Sequence, residues 1–235
     1  MPKPSAAGTL IMAANGLGNP EDVPMRSLQA LREAELHIFE EDRAARAALK
    51  AAGLTRTWLR WSEQCEAGTL EALSRCLEAG GTAVYMSSQG CPVLEDPGTA
   101  LVGVAVRLGA QVRSVGGPSS VTTILGACPF PVKGFVCEGL LPREPAARRR
   151  CLQDLARLRR PLVLLETPYR RDAFLADCAK ELAGREAVLA LDLGGPEERF
   201  LLAHIEALPA LAAILTPKLN FLLAVAAPKA SKSGR

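Results

Sequence analysis

The chain of 235 residues, 49% hydrophobic and 23% charged, has room for one large or two small domains and enough apolar material for a sizeable core. That composition excludes a disordered chain, and a formal net charge of +3 does not by itself imply a nucleic-acid partner. Seven cysteines, none within four residues of another, exclude zinc knuckles and CxxC redox motifs. They read as small residues among apolar neighbours in a reducing compartment. The two histidines, His37 and His204, lack ligand-spaced companions, so no metal site is expected. The start, MPKPSAAGTL, does not have the charged-then-apolar pattern of a signal peptide. The apolar stretch 219–228 is far shorter than the ~20 residues of a membrane span. A cytoplasmic protein with no membrane partner is expected.

In chain order, strands are predicted at 9–13, 35–39, 56–61, 82–86 and 111–115, with helices at about 24–34, 42–52, 66–79 and 98–109. The helices carry apolar residues three and four apart, as in Leu28, Leu31 and Ala34, or Leu70, Leu73 and Leu77. Strand alternating with helix implies a mostly parallel sheet covered on both faces. Gly116-Gly117-Pro118 breaks the pattern, and Ser119 or Ser120 is placed to cap the next helix. The rhythm resumes with strands near 134–138, 161–166, 186–192 and 219–226 and helices near 145–158, 169–183 and 204–213. A short strand at 199–202 is suited to antiparallel pairing. The reading is an α/β protein of two α/β domains, 1–115 with a parallel sheet and 116–228 with a mixed one. A basic tail, 229–235, is expected to be disordered.

Ligands of open α/β sheets bind at the carboxyl ends of the strands. Three such ends carry loops rich in Gly, Ser and Pro: 14–20, 87–92 and 116–120. Glycines there admit a ligand to main-chain groups, although each loop taken alone is also an ordinary tight turn. Gly16-Leu17-Gly18 mimics a dinucleotide fingerprint, but Glu21 replaces the third glycine and would repel a pyrophosphate. No GxxxxGK[ST] is present. Glu40-Glu41-Asp42 is either a helix-start cluster that complements the macrodipole or a strand-end acid facing a substrate hydroxyl. Glu166 closes the very apolar run Leu162 to Leu165 and is either a site acid or part of a surface turn. Residues 143–171 hold nine arginines against three acids, a net charge of +6, which fits a phosphate grip or a solvated helix face. At 4%, aromatic residues are too scarce for base-stacking recognition.

Taken in order, the loops resemble the tetrapyrrole methylase superfamily of S-adenosylmethionine-dependent methyltransferases. Within it the chain looks most like the branch that methylates a cytidine ribose 2′-oxygen in small-subunit ribosomal RNA. The TPIGN loop and its D-I-x-x-R-A-L helix match 15–19 and 22–28, and AEDTRxT matches from Glu41-Asp42-Arg43 to Arg46. The SDAGTPxxxDPG motif matches 87–98, keeping Gly90, Pro92, Asp96, Pro97 and Gly98. PGPSA becomes 116–120, EGFLP becomes 138–142, and ESPHR becomes Glu166-Thr167-Pro168-Tyr169-Arg170. The departures are Ser88 for the acid of SDAG, Arg43-Ala44-Ala45 within the second motif, and 191–195 for a basic RELTK segment. RNA-modifying members also carry a C-terminal extension that the chain lacks.

The resemblance implies a homodimer with S-adenosylmethionine folded into a cleft between the two domains. It places Asn15, Gly16, Ser88, Gln89, Gly90, Pro92, Pro118, Ser119, Ser120, Glu166 and Thr167 near that cofactor. The acceptor side falls to Asp42, with Arg43 or Arg46 orienting an anionic group and Glu138 as a second carboxylate. RNA contacts are expected from Arg143, Arg148, Arg149, Arg150 and Arg170. Two other readings stay open. One is a same-fold enzyme acting on a tetrapyrrole or other small molecule, whose carboxylates the arginines would also suit. The other is a binding protein that keeps the fold without catalysis, motivated by Ser88 and the altered second motif.

Overall fold

The computed structural model describes residues 7–62, 67–92, 94–214 and 219–229. The chain divides into two compact units, Met1–Ser119 and Ser120–Arg235. The expectations for Cys65 and for most of the basic tail lie outside the described residues.

In the first unit, β1 (Thr9–Ala13), β2 (Leu36–Phe39), β3 (Leu59–Arg60), β4 (Thr82–Met86) and β5 (Gln111–Val115) form one sheet. Its order is β3-β2-β4-β1-β5, with every pairing parallel. The connections run through α1 (Met25–Glu33), α2 (Asp42–Ala51), α3 (Ala67–Glu78) and α4 (Thr99–Arg107). Central strands of such a sheet are covered on both faces, and their sequences show it. Ile11 and Ala13 of β1 join Val84 and Met86 of β4 in a cluster with Leu31, Ala45 and Leu49. The alternate residues Leu10, Met12, Ala83 and Tyr85 enter a second cluster with Leu73, Leu77 and Leu101. The strand expected at 56–61 shrinks to two residues because it lies at the sheet edge and pairs only with β2.

In the second unit, α5 (Ser120–Gly126) leads to β6 (Val136–Leu140), α6 (Pro145–Ala156), β7 (Leu162–Glu166), α7 (Arg171–Glu181), β8 (Glu186–Leu191), β9 (Arg199–His204), α8 (Leu208–Ala213) and β10 (Phe221–Val225). The sheet order is β6-β7-β10-β8-β9. Only β6 and β7 pair in parallel; β10 runs antiparallel between β7 and β8, and β9 closes the edge antiparallel. The mixed sheet expected from the sequence is therefore present. Its core gathers Leu162, Leu164, Phe174, Leu175, Leu189 and Leu223. Pro145 starts α6 with its φ already helical, and the Glu144 carboxylate accepts hydrogen bonds from the Ala146 and Ala147 amides at 2.9 and 2.6 Å. Those two bonds hold the Glu144 carboxyl below the usual range. Among the described residues no helix is long and apolar enough to cross a membrane.

Candidate active site

Parallel strands put the ends of β1, β2, β4 and β5 at one edge of the first sheet, and the loops that follow them interlock there. Asn15 donates its amide to Gly90 O at 2.8 Å, and Gly90 donates back to Gly16 O at 3.1 Å. The Asn15 side chain ties the same loops, Nδ2 donating to Ser87 O (3.1 Å) and Ser88 O (3.0 Å) while Oδ1 accepts from Gly16 N–H (2.9 Å). Asn15 thus shapes the loops with its side chain already occupied.

Gly90 has φ +65°, where a Cβ would also come within 3.2 Å of Leu17 Cδ2 and 3.5 Å of Pro118 O. At Gly117 a Cβ would sit 2.6 Å from both Ala14 Cβ and Pro24 Cγ, so only glycine lets the β5 loop lie against the β1 loop. The Cys91 thiol donates to the Gly117 and Pro118 carbonyls at 3.6 and 3.5 Å. Asn15, Gly16, Ser88, Gly90 and Pro118 are therefore brought together, with Gln89 exposed and Pro92 and Ser119 half-buried beside them. Farther along the β4 loop, Asp96 accepts from Gly98 N–H and from the Tyr85 hydroxyl, at 2.8 and 2.9 Å. Burial, and then the Asp96 charge, push the Tyr85 phenol far up, so it stays a neutral donor.

Two acids follow β2. The Glu40 Oε2 atom accepts a hydrogen bond from Ser88 N–H at 2.8 Å, bridging the ends of β2 and β4. Asp42, the first residue of α2, accepts from the Trp58 indole N–H at 2.9 Å, while Arg43 and Arg46 point to solvent. Sequence reasoning missed Trp58 and gave Glu40 no role of its own. Their partners lie 16 and 48 residues away along the chain, and strand order alone makes them neighbours.

In the second unit, Glu138 is half-buried on the edge strand β6, beside the irregularity between Glu138 and Leu140. Ser120 opens α5. Glu166 ends β7 opposite Phe221 and is buried, and its Oε1 accepts from Thr167 N–H (2.6 Å), Arg170 Nε (2.8 Å) and Arg170 Nη2 (2.7 Å). Arg170 also donates to Leu141 O at 3.1 Å. The arginine expectation needs correcting at two positions. Arg148 is buried and bonded to Asp177 through Nε (2.8 Å) and Nη2 (2.7 Å), and Arg170 is held by Glu166. Arg148 is thereby withdrawn from a polyanion, and Arg170 is committed within the unit through Nε and Nη2, its side chain staying 20% exposed. Arg143 and Arg150 are exposed, and Arg149 is half-exposed at 3.7 Å from Asp177.

Residues 9–209 match the family model described as Tetrapyrrole (Corrin/Porphyrin) Methylases. The chain belongs to this family. Among curated members, this tetrapyrrole methylase is 33% identical over 232 residues to the protein named Ribosomal RNA small subunit methyltransferase I of Mycobacterium bovis, covering 97% of this chain and 81% of that one. It is 32% identical over 193 residues to the protein of the same name from Thermotoga maritima, covering 82% and 86%. Among solved structures, a cobalt precorrin-4 methyltransferase superposes with TM-score 0.73 at 14% identity, covering 96% and 97% of the two chains. The uroporphyrin-III C-methyltransferase of Thermus thermophilus, complexed with S-adenosyl homocysteine, gives TM-score 0.65 at 20% identity, covering 93% and 97%. The latter two similarities bear on the fold.

This tetrapyrrole methylase is accordingly a methyltransferase, and S-adenosylmethionine is its cofactor. The first-unit loops fit that molecule. They carry no lysine or arginine, as suits a cofactor without phosphate. Gly90 and Gly117 let the β1, β4 and β5 loops pack closely against one another, and beside them the buried Ser88 hydroxyl has no hydrogen-bond partner among the described residues.

Proposed function

We propose that this chain methylates a ribose 2′-hydroxyl of small-subunit ribosomal RNA. One observation carries the reading: 33% identity sustained over 97% of the chain to a protein named for that class of substrate. When bound, S-adenosylmethionine supplies a methyl group on a cationic sulfur already activated for displacement. The protein's task is then to hold the acceptor oxygen in line and to keep competing water away. Asn15, Gly16, Ser88, Gln89, Gly90, Pro92, Pro118 and Ser119 hold the cofactor, chiefly through main-chain groups. Asp42 faces the acceptor and takes up its proton as the oxygen attacks, with Trp58 fixing one carboxylate oxygen so that the other is aimed. Glu138 is the second acceptor-side carboxylate of the proposal. Arg143, Arg149 and Arg150 meet RNA phosphates; each one removed reduces the slope of log affinity against log salt by about 0.7–0.9. The reading also carries a homodimer working in the cytoplasm on rRNA processing.

The test is incubation with small ribosomal subunits and methyl-labelled S-adenosylmethionine. The expected result is label in the RNA at a linkage that resists alkaline hydrolysis, because a 2′-O-methyl group blocks cleavage there. Label transferred to a tetrapyrrole and never to RNA would replace the substrate class. Cofactor binding without transfer to any acceptor would leave the binding-protein reading in its place.

A further inference from the structure

The second motif of the resemblance reads Ala-Glu-Asp and the third reads Ser-Asp. In this chain the same positions are Glu40-Glu41-Asp42 and Ser87-Ser88. Set against those motifs, the chain has an acid at position 40 and none at position 88. These positions are distant in sequence but follow neighbouring strands, since β2 pairs with β4 in register Phe39 to Met86. Glu40 N–H donates to Met86 O at 3.4 Å, and its carboxylate accepts from Ser88 N–H at 2.8 Å. The carboxylate therefore lies against the very residue whose side chain is missing an acid.

We infer that Glu40 supplies the carboxylate that position 88 lacks, and that it binds the sulfonium centre of S-adenosylmethionine at the β4 loop. Three observations converge on this role. The Ser88 amide fixes one oxygen of Glu40, while among the described residues the other oxygen, Oε1, has no hydrogen-bond partner. The adjoining Ser88 hydroxyl is buried and unpartnered, so the polar groups beside Glu40 are not saturated by the protein. Asp96, farther along the β4 loop, already accepts from the Tyr85 hydroxyl of β4 and from Gly98 N–H. A carboxylate in this place also favours the cofactor over its product, because the sulfur loses its positive charge when the methyl group leaves. The exchange of acids preserves charge in the site, which removes the reason for treating Ser88 as a mark of lost function.

The inference rests on the methyltransferase reading, and titration calorimetry with S-adenosylmethionine and S-adenosylhomocysteine separates the two. Glu40→Gln keeps the side-chain shape and is expected to bind S-adenosylmethionine about tenfold more weakly, with a smaller loss for S-adenosylhomocysteine. Returning the acid to position 88 in Glu40→Ala/Ser88→Asp is expected to restore most of the affinity lost by Glu40→Ala. Unfolding without ligand checks that each variant is folded. Wild-type affinity in Glu40→Gln, or equal loss for both ligands, overturns the inference and leaves the methyltransferase reading standing. Failure of the unsubstituted protein to bind either ligand overturns that reading, and this inference with it.

Discussion

Arg148 and Arg150 stand two residues apart on one helix in an arginine-rich run, yet their substitution should have opposite consequences. The Arg148 side chain is 5% exposed and that of Asp177 14%, joined at 2.7 and 2.8 Å. Arg148→Met keeps much of the volume but leaves the Asp177 charge with only Arg149, 3.7 Å away. Breaking a buried pair from one side costs about 3–5 kcal/mol; the surviving Arg149 contact and the slight exposure of Asp177 place this case near 3 kcal/mol. For a unit of this size that lowers the melting temperature by roughly 10 °C or more. Both tryptophans, Trp58 and Trp61, belong to the first unit, so calorimetry is the assay that sees the second unit melt. Arg148→Met/Asp177→Leu removes both charges and should recover most of the loss. Well below its transition, Arg148→Met should bind RNA as the parent does. Arg150→Ala should melt within about 0.5 kcal/mol of the parent and bind RNA more weakly. An Arg148→Met protein with unchanged stability and impaired RNA binding would refute the assignment of that side chain to the core.

Trp58→Phe removes the donor to Asp42 while keeping the ring packed, and should lower kcat about tenfold with little change in cofactor affinity. In an Asp42→Ala background the same change should have no further effect, which steady-state kinetics on the four proteins would check. Gly90→Ala forces a side chain into the left-handed region against Leu17 and Pro118, costing about 1–2 kcal/mol and weakening S-adenosylmethionine binding; calorimetry reads both effects. Burial pushes the Cys128 thiol from its ordinary value of 9.0 up to about 11. The folded state therefore holds this proton where the unfolded chain releases it, and stability declines as pH rises from about 9 towards about 11. Cys128→Ala should flatten that decline in denaturant titrations across the same window.

Local signals carried much of the architecture. The apolar runs of β1, β4, β7 and β10, the strand expected at β5 and the helical periodicities between them lie where the sequence places them. A run such as Leu162 to Leu165 has no alternative to burial on both faces, and Gly116-Gly117-Pro118 interrupts any regular structure. The glycine and proline loops were equally legible, because a left-handed φ at Gly90 or a close approach at Gly117 restricts the residue type directly. The partners of charged side chains were not legible. Nothing in a run of arginines distinguishes Arg148, turned into the core toward Asp177, from the exposed Arg150. That difference depends on which helix packs beside α6. Likewise the contacts of Glu40 with Ser88 and of Trp58 with Asp42 cross from strand to strand. Residue type and local spacing determine which segments form strands and where the turns fall. The order β3-β2-β4-β1-β5 decides which strand ends become neighbours, and hydrogen bonds at 2.8–2.9 Å form only between neighbours.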